Sequence, residues 1–186
     1  MFRRFLWVLT SLVMSFGLVG CGALWHRDAP PLLRLSPASL GRELTMAQKL
    51  DVQVGDQSRS VDVALEVDAE SVRMAIMQFG QTVAHVVWDG QRLEQGLAPG
   101  WPKVVSAEQV LNDLQLVWWP LVQVRAALPV GWTVTDSPQR RELRHGDRVV
   151  VSVRVIETGH IELIQYADGY TLQVHSQGAT PVFTAP

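Results

Sequence analysis

Apolar and polar residues alternate through much of this chain, and the alternation limits its fold more than any other feature. From residue 61 to residue 68 every second position is apolar, at Val61, Val63, Leu65 and Val67. This is the pattern of a β-strand with one buried face. The segment 44–54 precedes it across Gly55-Asp56-Gln57, and Asp68-Ala69-Glu70 turns the chain again. Such short turns predict antiparallel neighbours, because parallel strands need long crossovers.

The next two predicted strands, Ser71 to Phe79 and Gln81 to Trp88, are apolar on both faces. Met74 and Ile76 share one face, but Ala75 and Met77 occupy the other. A sheet that is apolar on both sides is covered on both sides or lines an apolar cavity. Asp89-Gly90 follows the second of these strands and predicts a two-residue hairpin turn.

A helical segment separates this group of strands from a second one. Ser106 and Gln109 have capping-box spacing, and the residues after them repeat at three and four, which predicts one apolar helix face. Pro120 ends this helix, and a second short helix is expected over 121–128. The stretch 116–122 is apolar all round. It fits either a helix packed as core or a lid over a cavity with tryptophans at its mouth.

The alternating pattern returns after Trp132. Strands are expected at 139–144, 148–157, 160–166 and 170–176, with turns at Gly146-Asp147, Thr158-Gly159 and Asp168-Gly169. The order is therefore four or five strands, a helical segment, and four or five strands. A mainly β fold of the α+β class follows, a curved antiparallel sheet with a helical cover.

The start of the chain has the features of an export signal. Arg3 and Arg4 precede an apolar run, Phe5 to Val19, which is too short to span a membrane. Leu18-Val19-Gly20-Cys21 then resembles the bacterial lipoprotein signal. That resemblance implies diacylation of Cys21, cleavage before it, and acylation of the new amino group, with palmitate among the expected chains. By resemblance to enterobacterial sorting signals, Gly22 after the cysteine, in place of Asp, implies export to the outer membrane rather than retention at the inner one. The alternatives are an ordinary secretory signal or a short anchor with an incidental cysteine.

These features divide the chain into four parts. Residues 1–20 are the predicted signal peptide, and residues 21–38 are the acylated cysteine and a tether with Pro30, Pro31 and Pro37. Residues 39–176 form the domain, and residues 177–186 form a frayed tail.

Charge and composition exclude several functions. Without Arg3 and Arg4 the chain has 14 basic against 18 acidic side chains, so nucleic-acid binding has no electrostatic basis. The single cysteine excludes an internal disulfide and a cysteine-based zinc site. The five histidines are scattered, although His160 and His175 could meet on paired strands. With no catalytic motif present, we expect no enzyme, no cofactor and no metal site.

Taken together, these segments resemble an uncharacterised family of bacterial lipoproteins. Residues 96–102 and 116–121 carry the resemblance best, and it covers residues 32–176. Genes of that family often lie among fatty-acid-synthase-like genes, including aryl polyene pathways. Its domain is similar to the LolA/LolB lipoprotein-carrier fold, which implies an incomplete antiparallel barrel, or half-barrel, with a helical lid over an apolar cavity.

The sequence therefore predicts an outer-membrane lipoprotein that faces the periplasm. It would bind an acyl or other lipid-like group and assist transport or assembly of an envelope lipid, a polyene or a lipoprotein, with envelope transport proteins as partners. The alternative is a structural adaptor lipoprotein that binds a protein partner without a lipid. Eight residues are predicted to line the cavity: Met74, Ile76, Val83, Val87, Leu114, Val117, Trp118 and Leu121.

Overall fold

A ten-stranded antiparallel sheet forms most of the computed structural model, which describes residues 29–99, 101, 106–177 and 180–183. The predicted leader and Cys21 lie outside these residues. A short 3-10 helix (Pro37–Leu40) comes first, and the two helices are α1 (Ala107–Trp118) and α2 (Leu121–Ala127). The strands are β1 (Leu44–Val54), β2 (Gln57–Val67), β3 (Val72–Gln78), β4 (Gln81–Trp88), β5 (Leu93–Leu97), β6 (Trp132–Ser137), β7 (Arg140–His145), β8 (Arg148–Glu157), β9 (His160–Gln165) and β10 (Tyr170–Ser176).

Two five-stranded meanders make up the sheet, and its order is β5-β4-β3-β2-β1-β10-β9-β8-β7-β6. The first and last strands pair with each other, from Gln48 opposite Ser176 to Val54 opposite Tyr170. The edge strands β5 and β6 do not pair, so the sheet stays open rather than closing into a barrel. This arrangement confirms the predicted fold class, in which a helical segment divides two groups of antiparallel strands.

One face of the sheet, here called the inner face, carries the core. Leu65 of β2 lies between Met46 of β1 and Met74 of β3, and all three side chains are buried. The opposite, outer face is polar; there Glu66 and Arg73 form an exposed ion pair. The alternation read from the sequence thus divides these strands into a buried side and a solvated side.

Helix α1 is fixed at both ends. Ser106 and Gln109 form the predicted capping box, in which each side chain accepts from the other residue's backbone N–H. At the other end the guanidinium group of Arg141 donates to the carbonyl oxygens of Leu116 (2.7 Å) and Trp119 (2.8 Å). These are carbonyls that the end of a helix leaves without intrahelical partners. Arg141 is also paired with buried Asp136.

A segment without regular secondary structure, residues 33–36, lies against α1 and is called the strap here. Leu33 N–H donates to Asn112 Oδ1 (2.9 Å), and Leu35 N–H donates to Gln115 Oε1 (3.0 Å). Leu35 O accepts from Gln115 Nε2 (2.9 Å) and from the indole N–H of Trp88 (2.7 Å). Residues 33–38, predicted to be tether, therefore belong to the folded domain. Helix α1 supplies backbone partners for Leu33 and Leu35, and the 3-10 helix begins at buried Pro37.

The other departures from the predicted layout are at the tail and at one turn. Phe183 is buried, and the centroid of its ring lies 4.8 Å from the guanidinium carbon of Arg141. The tail is therefore packed at this residue rather than frayed. The connection between β4 and β5 has four residues, not two. Asp89 Oδ1 accepts from the N–H groups of Gln91 and Arg92, and this side-chain bonding favours the longer turn.

All the described contacts lie between residues 29 and 183. A protein that begins at Gly22, without the predicted signal peptide and Cys21, therefore keeps every core contact and strand pairing described here. In this part of the chain neither helix is long and apolar enough to cross a membrane.

Candidate functional site

An apolar cavity of about 430 Å³ lies between α1 and the inner face of the sheet. Close-packed protein interiors hold few voids larger than one water molecule, so this space is not ordinary core packing. The sheet residues in its wall are Gln48, Leu50, Val52, Val54, Gln57, Arg59, Val61, Val63, Met74, Ile76, Gln78, Val83, Ile161, Leu163, Tyr170, Leu172 and Val174. The other wall residues are Ala98, Pro99, Trp101, Val110, Asp113, Leu114, Val117 and Trp118.

Strand register explains why the sheet side of the cavity is apolar. Leu50 of β1 lies opposite Val61 of β2 and Val174 of β10, and Val52 lies opposite Leu172. Branched aliphatic side chains from three neighbouring strands therefore form one continuous patch on the inner face. Helix α1 faces this patch with Val110, Leu114 and Val117, which recur at helical spacing.

The cavity opens near the turn between β1 and β2. Gln57, Arg59 and Pro99 are part of its wall and are also exposed to solvent, so the wall reaches the surface there. The β3–β4 turn follows Gln78, another wall residue, and carries Phe79 with 95% of its surface exposed. Among the described residues, the mouth thus has one cationic side chain, Arg59, and an exposed aromatic ring in the adjoining turn.

Asp113 is the one carboxyl group among the described residues of the cavity wall. Its two oxygens accept hydrogen bonds from Gln165 Nε2 (2.8 Å) and from the hydroxyl group of Tyr170 (2.5 Å). Burial raises the pKa of Asp113 to about 6; these two hydrogen bonds oppose the rise, and nearby Asp168 adds to it. Burial also raises the pKa of Tyr170, together with the adjacent Asp113 charge. At neutral pH the wall therefore holds a carboxylate and an un-ionised phenol.

The family comparison places the chain in a group without an assigned activity. A family model described as "Protein of unknown function (DUF3261)" matches residues 45–178. The chain belongs to this family. The match covers nearly the whole sheet and both helices. It confirms the prediction that the chain is a member of a family with no established function.

Two solved structures are similar to this DUF3261 protein. One is a LolA superfamily protein from Nitrosomonas europaea, with a TM-score of 0.47 and 8% identity over 85% of this chain and 96% of the other. The second is a DUF1329 family protein from Desulfovibrio piger, with a TM-score of 0.47 and 9% identity over 78% of this chain and 89% of the other. No curated protein matches the chain.

Of the eight residues that the sequence predicted to line a cavity in this DUF3261 protein, the structure brings six together. They are Met74, Ile76, Val83, Leu114, Val117 and Trp118. Val83 reaches the wall because a bulge in the β3–β4 ladder places it beside inward-facing Ala84. That these residues bind a ligand stays a prediction.

The other two predicted residues are not part of the cavity wall. Val87 lies opposite Arg73 and Glu94, because side chains alternate and its neighbours Val86 and Trp88 take the inner face. Leu121 begins α2 beyond the Trp119-Pro120 break and packs against the main core. Leu121 therefore does not share the face of α1 that lines the cavity.

Asp113 was missed, although the sequence contains a signal for it. It falls three residues after Val110 and four before Val117, which puts a carboxylate on the apolar face of α1. His160 and His175 do meet, with ring centroids 4.2 Å apart, but they lie on the outer face. Within the described residues of this DUF3261 protein, no cluster of three or more His, Cys, Asp or Glu side chains could hold a metal.

Proposed function

We propose that this protein is a lipoprotein of the outer membrane, facing the periplasm, that binds an acyl or other lipid-like group in the cavity under α1. Its role would be to assist transport or assembly of an envelope lipid, a polyene or a lipoprotein. The action is binding rather than catalysis, and it requires no cofactor. The observation that carries the proposal is the apolar cavity of about 430 Å³.

The size and lining of the cavity support an apolar ligand. Small-molecule sites typically measure roughly 300–1,000 Å³, are mostly apolar and contain a few placed polar groups. This cavity has that volume, and valine and leucine are the commonest residues in its wall. Empty apolar space destabilises a fold roughly in proportion to its volume, so core packing for stability alone does not explain it.

The short segment before the domain supports work near a membrane. With the strap docked on α1, only residues 22–32 remain between the predicted lipid anchor and the domain. Fully extended, such a segment spans roughly 36–40 Å at about 3.3–3.6 Å per residue. A domain held within this distance can present exposed Phe79, beside the mouth, to the lipid surface.

Native mass spectrometry tests lipid binding. The chain from Gly22 onwards is mixed with saturated fatty acids of increasing length, and we expect retention of one molecule per chain. Leu114→Trp places a larger ring in the cavity wall and should abolish retention. Val122→Trp is the matched control, because Val122 is 66% exposed on α2.

Two results would refute the proposed function. One is no retention at any chain length. The other is retention that Leu114→Trp leaves unchanged, because the lipid would then lie outside the cavity. The variant's circular dichroism and thermal unfolding show whether its fold is intact.

One observation favours a structural adaptor as the second candidate. Val122 and Val130 are strongly exposed at the start of α2 and just after it, away from the cavity wall. A protein partner would cover these two side chains, as it does where exposed apolar residues form one patch. A photo-crosslinker at residue 122 in cells would capture one defined partner if the adaptor role is correct. Lipid retention would then be absent.

A further inference from the structure

We propose that the cavity selects amphiphiles whose apolar part carries a hydroxyl group, which donates a hydrogen bond to the Asp113 carboxyl group. This inference rests on the proposed function, because it names the class of ligand for the same cavity. It adds a chemical requirement that an apolar wall alone does not impose.

The interior polar groups of the cavity offer acceptors. Each Asp113 oxygen accepts one hydrogen bond from the protein, and a carboxylate oxygen has two lone pairs, so acceptor capacity remains. Gln48 also lies in the wall; its Nε2 donates to Ser176 Oγ (2.8 Å). Among the described residues, nothing donates to Gln48 Oε1. The Tyr170 hydroxyl, a donor in the wall, is already used by Asp113.

A ligand that enters this space must therefore supply the donor. A bare hydrocarbon leaves the free acceptor positions of Asp113 and Gln48 facing apolar groups, and buried polar atoms without partners are unfavourable. A carboxylate or phosphate placed deep in the cavity would lie against Asp113, and no cationic side chain among the described wall residues lies beside it. In the described wall the cationic side chain is Arg59, and it lies at the mouth.

A neutral donor fits better than an ammonium group. Asp113 is buried, and this burial disfavours its charged form and raises its pKa. A buried ammonium group would have to lose its own hydration as well, and this loss offsets the attraction between the two charges. A hydroxyl group donates to the carboxyl group without that loss.

Matched fatty acids test the inference. Dissociation constants of dodecanoic acid and of its ω-hydroxy and β-hydroxy derivatives are measured with the chain from Gly22 onwards. We expect one hydroxylated acid to bind roughly tenfold more tightly than dodecanoic acid, from one hydrogen bond to a charged acceptor. In a cavity without this acceptor a hydroxyl group would weaken binding, because it loses its water.

Variants locate the effect at Asp113. In Asp113→Asn the preference should fall to about threefold or less, because the acceptor is no longer charged. Gln48→Met removes the second acceptor, so it should leave most of the preference and provides a second readout if Asp113→Asn folds poorly. Leu114→Met changes the apolar wall only; it should shift all the dissociation constants together and preserve their ratio.

The outcomes separate this inference from the proposed function. If no fatty acid binds, the proposed function fails. If dodecanoic acid binds as tightly as both hydroxylated acids, or if Asp113→Asn keeps the full preference, this inference fails and the lipid-binding role remains. Tighter binding of ω-aminododecanoic acid than of the ω-hydroxy acid would overturn the neutral-donor class.

Discussion

Replacing Asp113 by asparagine should change how the stability of the domain depends on pH. The buried carboxyl group has its pKa raised from 3.8 to about 6. Between these values the unfolded chain has released its proton while the folded domain still holds it. Unfolding then releases a proton, so the free energy of unfolding falls as pH rises. Asparagine cannot ionise, and the variant lacks this loss.

The magnitude follows from the two pKa values. A difference of one pKa unit corresponds to about 1.4 kcal/mol, so the whole shift is worth about 3 kcal/mol. About 2 kcal/mol of this is lost between pH 4 and pH 7, because the carboxyl group of the unfolded chain is already more than half ionised at pH 4. We therefore expect the free energy of unfolding of Asp113→Asn, minus that of the wild type, to increase by about 2 kcal/mol over this range. Asparagine can still accept from Tyr170, and the Gln165 amide can turn over to match it.

Urea denaturation of the chain from Gly22 onwards, from pH 4 to pH 8, measures this difference. The control is Asp62→Asn, which removes an exposed carboxyl group on the outer face of β2. The free energy of unfolding of this control should stay within about 0.5 kcal/mol of the wild-type value at every pH. A flat difference for Asp113→Asn would refute the reasoning, because the buried carboxyl group would then titrate as it does in the unfolded chain.

Three further predictions follow from other contacts. Phe79 has a φ of 52° in the two-residue β3–β4 turn, so Phe79→Asn should stabilise the domain by about 1 kcal/mol in urea denaturation, and it should weaken binding to phospholipid vesicles. Arg141→Met should lower the free energy of unfolding by about 3–5 kcal/mol in the same assay, because buried Asp136 loses its partner. Adding Asp136→Asn to this variant should recover part of that loss. Cys21→Ser should move the protein from the membrane fraction to the soluble fraction of cells, detected by immunoblot.

The sheet could be predicted because its signals are local. Alternation within Val61 to Val67, and the short turns around it, depend on neighbouring residues and on burial of one face. Both halves of the meander follow from such patterns. The pairing of β1 with β10 joins residues more than a hundred positions apart, and no short pattern specifies it.

The strap could not be predicted for the same reason. Pro30, Pro31 and Pro37 are typical of a linker, and local sequence gives no sign of a docking surface. The partners of its backbone, Asn112 and Gln115, come about eighty residues later. On α1 these side chains look like the solvated face of an amphipathic helix. The structure shows them buried, because the strap covers that face.

The position of α1 determines whether the space beneath it is empty or filled. Polar contacts fix that position. Asn112 and Gln115 hold the strap on one side, Asp113 binds Gln165 and Tyr170 on the other, and Arg141 binds the helix end. Moving α1 onto the inner face would fill the cavity with apolar contacts. It would also break several of these hydrogen bonds, and each buried group left without a partner costs about 1–3 kcal/mol. The cavity therefore persists without a ligand, because closing it would separate buried polar groups from their partners.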